Sequence, residues 1–143
     1  MKKSDNRSNG GRFEQSLANT LADAGFWVHV IQQNKAGQPA DLIAVKGRYH
    51  TLIDCKVISD NKGFPFKRIE ENQKFAMSTF RQKCGELCWF ALRLPGGYIG
   101  MISSGRMAGF IARGMKQLNE EEIREQAMSL EMWIKETDIW GKD

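Results

Sequence analysis

Residues 39–56, PADLIAVKGRYHTLIDCK, constrain the fold of this 143-residue chain more than any other segment. Two apolar runs flank Gly47-Arg48, and glycine at the first position of a two-residue loop is typical of a tight β-hairpin turn. With the turn placed there, the strand register predicts that Asp41 lies directly opposite Asp54. Like charges in that position destabilise a sheet unless a positive charge lies nearby.

A divalent cation would relieve this repulsion. Lys56 lies two residues after Asp54, hence on the same face of the strand, and would neutralise the pair only in part. Two carboxylates and a strand carbonyl are the hard oxygen ligands that Mg²⁺ prefers. The alternative is that Asp41 belongs to a loop and Asp54 to a solvated strand edge. The apolar sequence LIDCKVI around Asp54 favours a covered face instead, and so a magnesium site.

A third carboxylate, Glu14, lies at the start of the first predicted helix. Phe13, Leu17 and Leu21 recur there at helical spacing, and Glu14 is next to this stripe. It would reach the hairpin if the helix packs on the sheet. The alternative is a first-turn glutamate that is favoured by the helix dipole.

The rest of the chain predicts an α/β fold in one domain, a central mixed sheet flanked by helices. The predicted order is α-β-β-β-α-β-β-α-α, and the apolar run at residues 87–94 is typical of a central strand that is covered on both faces. Asn119 and Glu122 form a capping box for a late helix. We predict a flexible basic arm at residues 1–11, a core at 12–118 and an acidic helical extension at 119–143.

Composition limits the classes of function. With 41% hydrophobic and 27% charged residues, and no apolar run near the ~20 residues of a membrane span, the chain is expected to be a cytoplasmic globular protein. Three cysteines with no histidine cluster do not make a zinc site. Residues 1–113 carry 17 Lys/Arg against 9 Asp/Glu, whereas residues 114–143 carry 4 against 8. This asymmetry suggests a polyanionic partner, although a mixed solvated surface explains it equally well.

The hairpin motifs resemble those of a known superfamily. Asp41 in PADLIA, followed by Asp54 and Lys56 in IDCK, looks like the PD-(D/E)xK nuclease signature, which implies a restriction-endonuclease-like fold. Glu14 in GRFEQSLANTLADAGFWV matches the helix-one glutamate of the Holliday-junction resolvases. The segment FPFKRIEENQKFAM is similar to one in the RecU resolvases. RecU carries a long stalk insertion, for which residues 32–40 are too short, so the layout is closer to the archaeal Hjc resolvases.

The resemblance implies a Mg²⁺-dependent endodeoxyribonuclease, with Mn²⁺ as a substitute, that cuts four-way junctions. The implied catalytic residues are Glu14, Asp41, Asp54, Lys56 and Gln73. The implied metal ligands are Asp41, Asp54, the backbone carbonyl of Cys55 and, directly or through water, Glu14. Gln73 lies on an otherwise apolar helical stripe, where a core-edge glutamine is the alternative. Gln38 is a weaker candidate.

Branched DNA and a second copy of the chain are the implied partners. We predict DNA contacts from basic residues near the site face: Arg7, Arg12, Lys35, Arg48, Lys62, Lys67 and Arg68. Symmetric nicking of two strands implies a homodimer. No membrane or organic cofactor is expected, and a phage origin is one hypothesis. The alternatives are another PD-(D/E)xK endonuclease, restriction-like or in repair, and an inactive DNA-binding module with the same fold.

Overall fold

A six-stranded sheet forms the centre of the protein in a computed structural model that describes residues 2–32, 37–60 and 62–142, without the side chains of residues 2–10. The strands are β1 Trp27–Val30, β2 Leu42–Lys46, β3 Tyr49–Val57, β4 Phe64–Pro65, β5 Trp89–Arg93, β6 Ile99–Ser103, β7 Gln117–Leu118 and β8 Met128–Ser129. The helices are α1 Lys2–Asp23, α2 Glu71–Cys84, α3 Ser104–Ala112, α4 Glu120–Gln126 and α5 Leu130–Trp140, with a 3-10 turn at Phe66–Arg68. The main sheet has the order β1-β2-β3-β5-β6-β8, and β4 pairs with β7 separately.

The β2–β3 hairpin has the predicted register. Leu42 pairs with Ile53 and Val45 with His50, in antiparallel orientation. Gly47 begins the turn with a φ of 60°, and a Cβ there would lie 2.2 Å from a carbonyl oxygen of the C-terminal segment. Only glycine therefore fits this turn.

Strand β5 lies in the middle of the sheet, as the apolar run at residues 87–94 predicts. It runs parallel to β3 on one side and antiparallel to β6 on the other. Because β3 and β5 are parallel, their carboxyl ends meet at the same edge of the sheet. That edge carries Asp54, Cys55 and Lys56, so the topology places the predicted site residues at one end of the fold.

Each face of the sheet covers its own apolar core. Leu52 and Phe90 face α2 and α3, whereas their neighbours Ile53 and Ala91 face α1 and α5. The strand period of two separates the cores in this way. Asp54 has the same parity as Leu52, so its side chain lies on the face that α2 covers.

The structure differs from prediction mainly at the element boundaries. Helix α1 begins at Lys2 instead of near Phe13, so the predicted flexible arm is helical from Lys2 onward. Helix α2 begins at Glu71, after the 3-10 turn, instead of near residue 67. The acidic C-terminal segment adds strand β8 to the sheet and buries Trp133 completely. The proposed division into arm, core and extension stays a prediction. Among the described helices, none has the length and apolar character required to cross a bilayer.

Candidate active site

Asp41 bridges the entrance of β2 to strand β3. Its backbone amide donates to the Ile53 carbonyl at 3.0 Å, and its Oδ2 accepts a hydrogen bond from the Cys55 amide at 2.7 Å. Asp41 therefore lies one residue before the paired ladder, and the prediction of a direct strand pair with Asp54 is wrong in this detail. The ladder begins only at Leu42, because the Asp41 amide already bonds to Ile53.

Asp54 lies on the adjacent stretch of β3 and is fully buried. Gln73 donates from Nε2 to Asp54 Oδ1 at 2.6 Å. The other oxygen, Oδ2, lies 3.2 Å from Lys56 Nζ, which is ion-pair distance. Within the residues that the structure describes, no group donates a hydrogen bond to Oδ2. A buried carboxylate oxygen with so little compensation destabilises the fold and therefore indicates a function.

Electrostatic coupling extends to Glu14 on α1. Burial, reinforced by the negative charge of Asp41 and a hydrogen bond to it, raises the pKa of Glu14 to about 7, and Lys56 offsets this in part. Burial likewise raises the pKa of Asp54 to about 7; Lys56 opposes the rise and Asp41 adds to it. The structure thus brings Glu14, Asp41, Asp54 and Lys56 into one interacting group. Near neutral pH the carboxyl groups of Glu14 and Asp54 are therefore partly protonated.

The first turn of α2 orients both aspartates. In a capping box, Gln73 Oε1 accepts a hydrogen bond from the Glu70 backbone amide. Because the amide oxygen of Gln73 is engaged in this way, its nitrogen Nε2 faces Asp54. Asn72 donates from Nδ2 to the Gln38 carbonyl at 3.3 Å, and Gln38 Nε2 lies 3.5 Å from Asp41 Oδ1. Sequence reasoning identified Gln73 and, more weakly, Gln38. It missed Asn72 and Glu70, although the Glu-x-x-Gln spacing at the start of the helix was a usable signal.

The chemistry of these side chains fits a divalent metal ion. Asp41, Asp54 and Glu14 supply hard carboxylate oxygens, and Asp54 Oδ2 is buried without a donor. In the described part of the chain, however, no three His, Cys, Asp or Glu side chains already surround a single metal position. The carboxylates would therefore have to draw closer around the ion. The Cys55 carbonyl stays a predicted ligand.

The predicted DNA-binding residues are divided between two ends of the molecule. Arg68 donates to the Val57 carbonyl at 3.1 Å; burial lowers its pKa, and the charge of nearby Asp54 opposes that shift. Arg48 lies at the hairpin turn, six residues from Asp54 and so about 20 Å along the strand. The others that can be placed are exposed: Arg12 on α1, and Lys62 and Lys67 between β3 and α2. Lys35 and the side chain of Arg7 lie outside the described residues.

Comparison with known proteins decides the family. Residues 5–137 match the family model described as archaeal Holliday junction resolvase (Hjc). The chain belongs to the Hjc family. Among solved structures, it is similar to Hjc from the hyperthermophilic archaeon Archaeoglobus fulgidus, with a TM-score of 0.65 and 18% identity over 88% of this chain and 98% of that one. No curated protein sequence matches it significantly.

The match confirms the predicted fold class, a mixed sheet flanked by helices. It also agrees with the preference for the compact Hjc layout over the stalked RecU layout. At 18% identity the structural similarity supports the fold alone, whereas the family match over residues 5–137 carries the assignment.

Proposed function

We propose that this member of the Hjc family is a divalent-metal-dependent endonuclease that resolves four-way DNA junctions by paired phosphodiester hydrolysis. Family membership supports the junction as substrate. The observation that carries the metal-dependent chemistry is the buried Asp54 carboxylate, whose Oδ2 has no hydrogen-bond donor within the described chain and lies beside Lys56. A binding module without activity would gain nothing from this arrangement, which lowers its stability.

Asp41, Asp54 and Glu14 would hold the ion, and we propose Mg²⁺, with Mn²⁺ as a substitute. When bound, the metal would offset the negative charge that develops on the phosphate and on its leaving oxygen. The protein's own part begins with Gln73, which fixes Asp54 Oδ1 through a hydrogen bond and so leaves Oδ2 facing Lys56. Asp41 is fixed in the same way by the Cys55 amide.

Lys56 is the proposed catalytic cation. Its ammonium group lies among carboxylates, where it is largely shielded from solvent, and it is positioned to orient the attacking water and contact the scissile phosphate. Arg68, whose charge acts on Asp54, is a further proposed phosphate contact at the same edge of the sheet. The remaining basic residues, Lys62 and Lys67 among them, would supply salt-dependent affinity for the backbone without reading sequence.

We further propose a homodimer, because symmetric cleavage of a junction needs two active sites. The apolar residues of the C-terminal segment and of α3 are one candidate for its interface. Much of that apolar surface is used inside the protomer: Trp133 and Phe110 are buried. Large apolar side chains left exposed in the described chain include Trp27, Phe75, Met132 and Ile139.

A cytoplasmic location and a phage origin stay predictions; the family's own description is archaeal.

The test is a nicking assay on a labelled four-way junction and a linear duplex of the same sequence. In Mg²⁺, the wild-type protein should make symmetric nicks in the junction and leave the duplex intact. Asp54→Asn should bind the junction but not cut it, and Asp60→Asn, an exposed aspartate outside the site, is the matched control. Equal cutting of the duplex would contradict junction selectivity, while tight binding with no cutting would indicate an inactive binding module.

A further inference from the structure

Two arginines lie in a cleft between α1 and the turn that joins β5 to β6. The cleft has a volume of about 530 Å³. Its lining residues are Arg12, Phe13, Ser16, Arg93, Gly97 and Ile99. Phe13 and Ile99 form its apolar floor, and the two arginines and the serine hydroxyl supply its polar groups. Arg93 and Ser16 had no predicted role.

Neither arginine in the cleft has a partner inside the described chain. No hydrogen bond, ion pair or ring contact engages the guanidinium of Arg12 or Arg93 there, and none of the described residues that line the cleft is acidic. Other arginines differ: Arg68 donates to the Val57 carbonyl and Arg106 donates to Gln126. Two guanidinium groups in one concavity repel each other unless an anion lies between them, and phosphate is one of the anions that guanidinium groups bind in bidentate fashion.

The cleft lies at the same end of the sheet as Asp54 and Lys56 but on the opposite face. Arg93 pairs with Val57, the residue after Lys56, on neighbouring parallel strands about 4.8 Å apart. Because side chains alternate along a strand, Arg93 and Lys56 point to opposite faces. On α1, Arg12 and Glu14 are two residues apart, about 200° around the helix, so the width of α1 separates the cleft from the site.

We infer that this cleft binds a phosphodiester group of the junction other than the one that is cut. Arg12 and Arg93 would clamp the phosphate, and the Ser16 hydroxyl would donate a hydrogen bond to it. The rim is open for a nucleic-acid backbone, since a Cβ on Gly96 or Gly97 would meet nothing within 4 Å. The identity of this anion as DNA rests on the proposed function. By holding this phosphate, the cleft would set the position of one DNA strand relative to α1.

The test measures binding of a fluorescently labelled four-way junction in EDTA across a KCl series. The variant Arg12→Gln/Arg93→Gln removes two phosphate contacts, so the slope of log K against log[KCl] should become shallower by about 1.8. Each single variant should account for about half of that change. At 0.1 M KCl we expect about tenfold weaker binding by the double variant. Arg12→Lys/Arg93→Lys, which keeps both charges, should recover most of the slope.

The matched control is Arg113→Gln/Arg124→Gln, which removes the same charge from arginines that stack on Phe110 and Tyr98. An unchanged slope in the Arg12/Arg93 variant would overturn the inference. So would an equal change in the control, because the effect would then be one of net charge. Thermal melting checks folding, and the single variants keep the test decisive if the double variant is unstable.

Failure of this inference is distinguishable from failure of the proposed function. If the wild-type protein cuts the junction but the Arg12/Arg93 variants keep its salt slope, only the cleft assignment is wrong. If the wild-type protein binds but never cuts, and the slope still falls by about 1.8, the cleft assignment holds and the nuclease proposal fails.

Discussion

The two ends of the β2–β3 hairpin, the turn end near Gly47 and the open end near Asp54, differ in how their charged side chains are paired. At the turn, Lys46 forms an ion pair with Asp138 of α5, and the Arg48 amide donates to the Gly141 carbonyl at 3.1 Å. At the open end, Asp54 is buried with one oxygen that receives no hydrogen bond within the described chain. The turn end therefore contributes stability, whereas the open end gives up stability to hold a reactive set of carboxylates.

Aromatic packing strengthens the contrast. Trp133 stacks on Phe26 at a centroid distance of 5.6 Å and meets Trp89 edge-on at 5.9 Å, while Trp89 Nε1 donates to Tyr49 at 2.7 Å. The one buried polar atom at this end that lacks a partner in the described residues is Trp133 Nε1. A neutral indole N–H left unpaired costs far less than a carboxylate oxygen. The comparison teaches that a buried carboxylate oxygen without a hydrogen-bond donor, even beside Lys56, distinguishes the open end more clearly than an unpaired neutral N–H distinguishes the turn end.

The largest expected effect comes from removing the charge at the open end. Asp54→Asn should lower junction cleavage at least about 10³-fold, because it removes a negative charge from the proposed metal site. Asn keeps an acceptor for Gln73, so the fold should survive. In metal-free buffer at pH 8 the variant should be more stable than the wild type by about 1–3 kcal/mol. Urea denaturation beside a single-turnover cleavage assay measures both; lower stability would contradict the account.

The second prediction concerns the stability that the turn end contributes. Trp133→Ala should destabilise the fold by about 3–5 kcal/mol, because the indole is fully buried among aromatic rings. Cleavage per folded molecule, measured at low temperature, should change less than about threefold. Trp133→Phe is the matched control and should cost less, since it removes an N–H that has no partner in the described residues. A loss of cleavage in folded Trp133→Phe would contradict the separation of roles.

Gln73 tests how the open end is held together. Gln73→Ala removes the hydrogen bond to Asp54 Oδ1 and the capping interaction with Glu70, and should raise the Mg²⁺ midpoint of cleavage about 10–100-fold. Asn72→Ala removes the hydrogen bond to the Gln38 carbonyl, leaves Gln73 in place and should shift the midpoint less. Magnesium titrations of cleavage separate this positioning role from general destabilisation, which would lower the rate at all Mg²⁺ concentrations without moving the midpoint. Equal midpoints in all three proteins would count against the role.

The pH dependence of stability tests the open end. Folding raises the pKa of Asp54 from 3.8 to about 7, so the folded state holds more protons than the unfolded state between those values. Without metal, the free energy of unfolding should therefore fall as pH rises from about 4 to about 7, by at most about 1.4 kcal/mol per unit per group. Urea melts across this range measure it. Asp54→Asn should reduce the slope, and an unchanged slope in this variant would contradict the prediction.

The sequence predicted the hairpin well because local chemistry decides it. Gly47 fixes the turn, strand parity then places Leu42 opposite Ile53, and a capping box begins α4 as the Asn119 spacing predicted. These features depend on neighbours in sequence or on one strand pair. The resemblance also brought Glu14 to the hairpin acids, which spacing alone left open.

Other features could not be predicted because they depend on distant partners. Helix α1 continues through Gly10-Gly11, against the weak helix propensity of glycine. Strand β8 has only two residues and exists because β6 offers it a partner. Asn72 and Arg93 have no periodic or motif signal; one bonds to a loop 34 positions earlier, and the other meets α1 across a cleft.

Calorimetric titration of Mg²⁺ into the protein, bound to an uncleavable junction at pH 8, tests the central claim most directly. If the open end of the hairpin is the metal site, Mg²⁺ binding to the wild-type complex should give a saturable heat signal. Asp54→Asn should bind it at least about tenfold more weakly, and the turn-end control Asp138→Asn should match the wild type. Equal Mg²⁺ binding by Asp54→Asn and the wild type would contradict the claim.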